Sequence, residues 1–337
     1  MMNKKVGYAL ALALALAAPL LLYPVFLMKL MCFALFACAF NLLIGFTSLL
    51  SFGHAAFFGS AGYITGYLIK NMGWPTELGL VLGTAGAALV GLLMGSVAIR
   101  RQGIYFTMIT LALAQMLYFV FLQAPFTGGE DGLQGVPRGK LLGMLDLAND
   151  LTLYYVVLAI AIGGFALIVR TIHSPFGQVL KAIKENEPRA ISLGYNVDRY
   201  KLLAFVLSAT LSGLAGSTKV LILGFETLTD VHWSMSGLVV LMVLVGGLGT
   251  ITGPIVGAII IITLENKLGE LGTWLAKITG VDWFNSIGES VTMVIGLIFI
   301  ICVLAFRRGV VGEFIMRIKP AVACVKRILG MPRSVGN

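Results

Sequence analysis

From Met1 to Ile99 the chain carries only five charged side chains, Lys4, Lys5, Lys29, Lys70 and Glu77. Apolar stretches of bilayer length follow one another through this region. Each, as a helix, could cross a hydrocarbon core about 30 Å thick with its backbone hydrogen bonds made internally. A water-soluble α/β core would need polar faces that these segments lack. The bias holds throughout: 58% of the 337 residues are hydrophobic and 12% charged, with a mean hydropathy of +0.96. Ordinary soluble domains are nearer half apolar and about a quarter charged. The expected fold is an all-α polytopic membrane protein.

Candidate spans are 7–27, 30–50, 54–70, 78–99, 103–124, 152–169, 201–223, 235–263 and 287–306. Lys4 and Lys5 precede an Ala/Leu run like a signal-peptide core, but the run continues past Pro19 to Leu27 without a small-residue cleavage site. An uncleaved first span is expected. Many of the 41 glycines lie inside apolar runs, where they permit close helix packing or a broken helix beside a cavity. Cys32, Cys38, Cys302 and Cys324 have no metal-ligand spacing and read as buried thiols.

Net charge is +9, and the bases gather in connections and the tail, a membrane-orientation pattern that gives no sign of nucleic-acid binding. Loop 170–201 holds Arg170, Lys181, Lys184, Arg189, Arg199 and Lys201 against Glu185, Glu187 and Asp198. Loop 125–151 holds Arg138 and Lys140 against Glu130, Asp131, Asp146 and Asp150. Cytoplasmic placement of the basic connections puts Lys4, Lys5, Arg100, Arg101 and loop 170–201 on one side. The tail 307–337, with seven bases against Glu313, belongs there too. A single span at 235–263 would put it outside. The conflict disappears if that span is two helices broken at Gly246–Pro254, giving about ten inserted segments and both termini in the cytoplasm. A second break is expected over Ser48–His54. The two breaks are too faintly alike to establish an internal repeat.

His54 is the informative polar residue at membrane depth, within Ser51-Phe52-Gly53-His54 and ahead of Gly59. Buried there, it needs a polar partner or a cavity. A structural hydrogen bond at the helix break, a place on the substrate path and proton coupling all remain open. Ser51, Gly53 and Gly59 are path candidates with it, although the glycines also suit close packing. The outer loop Thr127–Pro137 presents Glu130 and Asp131 among turn glycines, as a plain connector or as a surface for an extracytoplasmic partner. In the inner loop, residues 178–187 suggest a short helix ended by Pro188, with a turn at Gly194. Leu180 and Ile183 could anchor in a partner's groove, with Lys184, Glu187 and Arg189 on its rim.

No G-x-x-x-x-G-K-[ST] loop, H-E-x-x-H helix, C-x-x-C pair or nucleophile elbow is present. If ATP drives transport, another polypeptide must bind it. An intramembrane enzyme has no recognised constellation to support it. A passive channel or ion-coupled carrier stays open, although the scarcity of acidic residues within the spans argues against proton or sodium coupling.

Five stretches together resemble the LivM family, one of the two permease subunits of bacterial high-affinity branched-chain amino-acid ABC transporters. They are SLLSFGHAAFFGSAGYITGYL at 48–68, RRQGIYFTMITLALAQM at 100–116, TGGEDGLQGVP at 127–137, SPFGQVLKAIKENEPRAISLGYNVDRYKLLAFVLSATLSGLAG at 174–216 and GGLGTITGPIVGA at 246–258. The resemblance implies a second, LivH-like permease, two cytoplasmic ATPase subunits, a periplasmic solute-binding protein and a bacterial inner membrane. It implies a permease domain over 1–306 with an ATPase-coupling loop at 170–201, followed by the basic tail. Glu187-Pro188-Arg189-Ala190 and Gly194 fall at the coupling site, although Pro188 and Arg189 replace the small residues of the usual Glu-Ala-Ala form. Leucine, isoleucine and valine are the implied cargo, with urea, short amides or other amino acids as alternatives. This subunit is expected to hold no cofactor, ATP being used by its partners.

Overall fold

The computed structural model describes residues 13–20, 22–141, 143, 145–279, 296, 297, 300 and 309–313. They fall in two compact units, Met1–Val240 and Leu241–Asn337. In the first are α1 (Pro24–Thr47), α2 (His54–Lys70), α3 (Thr76–Ala98), α4 (Ile104–Gln123), α5 (Asp150–His173), the short α6 (Pro175–Glu185) and α7 (Glu187–Ser192), and α8 (Val197–Leu223). Helix α9 (Trp233–Gly246) begins in this unit and ends in the second, which holds α10 (Gly253–Thr279). A two-residue hairpin pairs Lys140 with Asp146 and Leu141 with Leu145. By length and composition α1, α3, α4, α5 and α8 can cross a bilayer, while α9 is a shorter apolar helix.

The expected spans mostly hold, and the exceptions have local causes. The chain turns before Pro24, where residues 7–27 and 30–50 were expected to divide at 28–29. Proline lacks the N–H that a helix interior needs but fits its first turn, so α1 starts at Pro24 and runs through Lys29. Helix α8 starts at Val197, ahead of the expected 201, because the Asn196 side chain accepts from the Arg199 amide and caps it. Both breaks are present. Ser48 closes α1 in the left-handed region, at φ 58°, and α2 starts at His54. Gly247 and Gly249 have φ of 122° and 71°, and Thr250 Oγ1 accepts from the Gly253 amide at 3.1 Å to start α10. That helix runs to Thr279, beyond the expected 263. The expected span 287–306 and the tail 307–337 lie almost wholly outside the described residues.

Helix α8 is the centre of the first unit, packed by α1, α2 and α3. Its buried residues include Ser208, Ala209, Ser212, Gly213, Gly216 and Ser217. Lipid is as apolar as a leucine side chain, so helices associate through close packing, for which small residues are needed. Gly216 lies against the Phe58 backbone of α2, and Gly213 against Ala87 of α3. The outward faces of α3 and α4 expose Val81, Leu89, Leu93, Val97, Met108, Met116 and Phe119, an apolar surface of bilayer length.

The loops gather at two opposite ends by charge. At one, Lys184 reaches the end of α1, and Glu187 meets Gln102 between α3 and α4. At the other, Leu133 and Glu226 form an antiparallel bridge, Lys70 bonds Gln134, and Arg138 joins Asp150 and the Ile222 carbonyl.

Candidate functional site

At the basic end, Ser174 caps α6 by accepting from the Gly177 amide at 3.3 Å, and Pro175 occupies the first turn. Leu180 and Ile183, three residues apart, share one face of this helix. Leu180 is wholly buried with Leu43, Phe106, Ala204 and Phe205, and Ile183 packs with Ala190 and Val197. Their expected role as anchors in a partner's groove is therefore corrected: they seat α6 on its own bundle, the nearest apolar surface. Lys184 Nζ donates to the Gly45 carbonyl at 2.7 Å, in the last turn of α1. Carbonyls there have no helical donor, and a cation at that end is favoured by about 0.3–1 kcal/mol. Glu187 Oε1 accepts from Lys201 Nζ at 2.7 Å and Gln102 Nε2 at 2.8 Å, tying α7 to α8 and to the α3–α4 turn. Pro188 opens α7 and does not end α6. Asn186, extended between them, caps α7 by accepting from the Arg189 amide. Gly194 turns the chain at φ 86°, as expected. Arg189 points outward, with Ile191 57% and Leu193 68% exposed.

At the first break, His54 is completely buried. Its Nε2 lies 2.8 Å from Ser208 Oγ of α8, and that hydroxyl donates to the Ala39 carbonyl of α1 at 2.6 Å. A hydroxyl has one proton; with it given to Ala39, the oxygen accepts from a His54 Nε2–H. Phe40, Phe57 and Phe205 meet the ring edge-on at 4.8, 5.4 and 6.1 Å. Of the three readings left open, this geometry is that of a structural hydrogen bond at the helix break. Ser51 Oγ accepts from the Gly53 amide, Gly53 packs beside Met94, and Gly59 lies against Val231. A cavity of about 400 Å3 next to the break is lined by Ser48, Leu49, Leu50, Gly103, Ile104, Phe106 and Thr107, and by none of the four path candidates.

At the acidic end, Gly129–Asp131 forms a 3-10 turn that leaves Glu130 and Asp131 exposed. Two residues on, Leu133 and Glu226 exchange backbone hydrogen bonds of 2.9 Å. The segment after α8 then runs back along α2, with Glu226 over Gly62, Val231 over Gly59, and Ser236 Oγ accepting from the Ala55 amide at 2.9 Å. Lys219 of α8 is 4% exposed and binds both Glu226 and Asp230.

A family model described as branched-chain amino acid transport system / permease component matches residues 24–306. The chain belongs to this family. The permease is thus an all-α, multi-pass membrane protein. It is 26% identical over 263 residues to the high-affinity branched-chain amino acid transport system permease protein LivM of Escherichia coli, covering 71% of the permease and 62% of LivM. LivM of Salmonella typhimurium is 25% identical over the same shares. The permease therefore spans less than two thirds of these relatives' length. It is also 31% identical over 174 residues to the ribose import permease protein RbsC of Bacillus subtilis, covering 49% of the permease and 51% of RbsC. A solved structure, PsaBC from Streptococcus pneumoniae in complex with Fab, matches 87% of the permease and 95% of that chain at 14% identity. Its TM-score of 0.39 is too low to argue from.

Several residues that organise the permease escaped sequence reasoning. Ser208 and Ser236 are small polar residues in apolar helices, indistinguishable by pattern from the packing serines around them. Lys219 did carry a signal. It is a cation inside an apolar stretch, with Glu226 and Asp230 seven and eleven residues on. Such a residue is a site candidate in any membrane protein.

Proposed function

We propose that the permease is the membrane subunit of an ATP-driven bacterial importer for branched-chain amino acids. The observation that carries the reading is the α6–α7 block, joined to the end of α1 by Lys184 and to α8 by Glu187, with Ile191 and Leu193 turned outward. A push on that block reaches two spanning helices directly. The basic end lies in the cytoplasm on this reading, following the positive-inside tendency. Two ATPase subunits dock there, bind and hydrolyse ATP, and meet Arg189, Ile191 and Leu193. A LivH-like second permease completes the membrane domain in the inner membrane. A periplasmic solute-binding protein meets the opposite end at Glu130 and Asp131. The family match and the two LivM relatives support leucine, isoleucine and valine as cargo.

The RbsC similarity favours a second reading, in which the same machinery moves a different small polar solute. Uptake by proteoliposomes containing the permease, its partner permease, both ATPases and the native binding protein separates them. Leucine, isoleucine and valine should accumulate with ATP while ribose, urea and polar amino acids do not. Ribose or urea uptake without leucine uptake would reject the branched-chain assignment. Uptake by the permease alone under an ion gradient would reject the ATP-driven one.

A further inference from the structure

Lys219 sits in an enclosure that the transport reading does not use. Its ammonium bonds Glu226 Oε2 at 3.2 Å and Asp230 Oδ2, and the rings of Phe58 and Phe225 each lie 5.9 Å away. Glu226 is fully buried and Asp230 is 4% exposed. Gly62 makes room for the Glu226 carboxyl, since a Cβ there would stand 2.6 Å from Cδ. Among the described residues no second cation bonds either acid. With both acids ionised the enclosure would hold one uncompensated negative charge, which costs several kcal/mol away from water.

The two carboxyls are not equally supplied with donors. Asp230 Oδ2 accepts from Lys219, from Thr227 Oγ1 at 2.7 Å and from the Thr227 amide at 3.2 Å. Glu226 Oε2 accepts from Lys219 alone, and its buried Oε1 has no partner. Donors stabilise the ionised form, so the acid with one donor is the one that takes a proton. We propose that this cluster is a proton-binding site, in which Glu226 carries a proton on Oε1 and leaves Lys219 and Asp230 as a neutral ion pair.

The surroundings fit a neutral Glu226. On α2, next to Gly62, the Tyr63 hydroxyl is buried without a partner. Tyr118 of α4 packs against the cluster that holds Tyr63, and His232 meets Tyr118 edge-on with ring centres 5.3 Å apart. None of these supplies a fixed positive charge to Glu226. The proton has a mechanical consequence, because the Glu226 backbone is bonded to Leu133 of the outer loop. A neutral Glu226 holds segment 224–232 in the α2 groove and the outer loop with it. Ionisation places an unbalanced charge against Gly62 and Tyr63 and loosens both.

Infrared difference spectroscopy of the full-length protein in lipid nanodiscs tests the site at neutral pH. Wild type minus Glu226→Gln should isolate one protonated-carboxyl C=O stretch. Asp230→Asn should abolish that same band, because Lys219 then neutralises Glu226 alone. Glu226→Gln has the shape of the protonated acid and should remain monodisperse with an unchanged melting temperature. The proposal fails if the difference spectrum shows no such band, the result expected of an ionised Glu226 or one bound to sodium. It fails equally if the band survives Asp230→Asn, or if Glu226→Gln loses the fold. Should Asp230→Asn not purify, the Glu226→Gln comparison decides.

Discussion

Ile183 and Ile191 are both isoleucines in the basic segment, yet one is 3% and the other 57% exposed. Ile183→Asp puts a charge into the contact with Ala190 and Val197, a cost of several kcal/mol within this chain. It should reduce the yield of folded permease whether or not an ATPase is present. Ile191→Asp or Leu193→Asp changes an exposed position, so insertion and melting should stay normal while co-purification with the ATPase falls. Normal co-purification and coupled hydrolysis in both exposed variants would remove that surface from the docking reading. His54→Ala deletes the donor to Ser208 in a closed aromatic pocket and should lower stability by about 1–3 kcal/mol. His54→Gln retains an N–H and should recover part of it. A thermal melt of detergent-solubilised protein reads both. Full stability with lost uptake in His54→Ala would return His54 to the substrate path.

Among the elements, α8 depends on residues without bulk. Gly216 lies against the Phe58 backbone, which has no rotamer with which to move aside. Gly216→Val should therefore force α2 and α8 apart and abolish monodisperse protein on size-exclusion chromatography, whereas Gly163→Ala, where a Cβ meets nothing, should elute as wild type. A sharp wild-type peak from Gly216→Val would mean the helices are not packed this closely. The α6–α7 block makes the opposite use of side chains, since long ones tie it down. Lys184→Ala removes the donor to Gly45, an interaction worth about 1 kcal/mol or less. Stability should change little, but ATP hydrolysis should proceed with less uptake as the block works loose from α1. Parallel assays of hydrolysis and uptake detect this; an unchanged ratio would show that the link transmits nothing.

For the whole molecule, the division into a basic and an acidic end predicts a labelling pattern. In a cysteine-free background, a cysteine at exposed Thr229 should react with an impermeant maleimide in intact cells, and one at Ser192 only after lysis. Reversal would invert the proposed topology. Sequence alone determined the membrane environment, the approximate places of most spans among the described residues, the opposed loop charges and both helix breaks. Each follows from properties local to a stretch of chain: apolar length, glycine and proline content, and charge. The LivM-like stretches likewise announced the family, because family patterns are carried by residue order. Tertiary structure alone decided the partners. Leu180 and Ile183 looked like a free anchor because an amphipathic helix has the same pattern whichever apolar surface it meets, and here that surface is its own bundle. Ser208 bonded to His54, and Glu226 seated over Gly62 beside Lys219, join segments far apart in the chain. Their juxtaposition is set by how closely small residues let α2 and α8 approach, a property of packed helices that no single stretch of sequence contains.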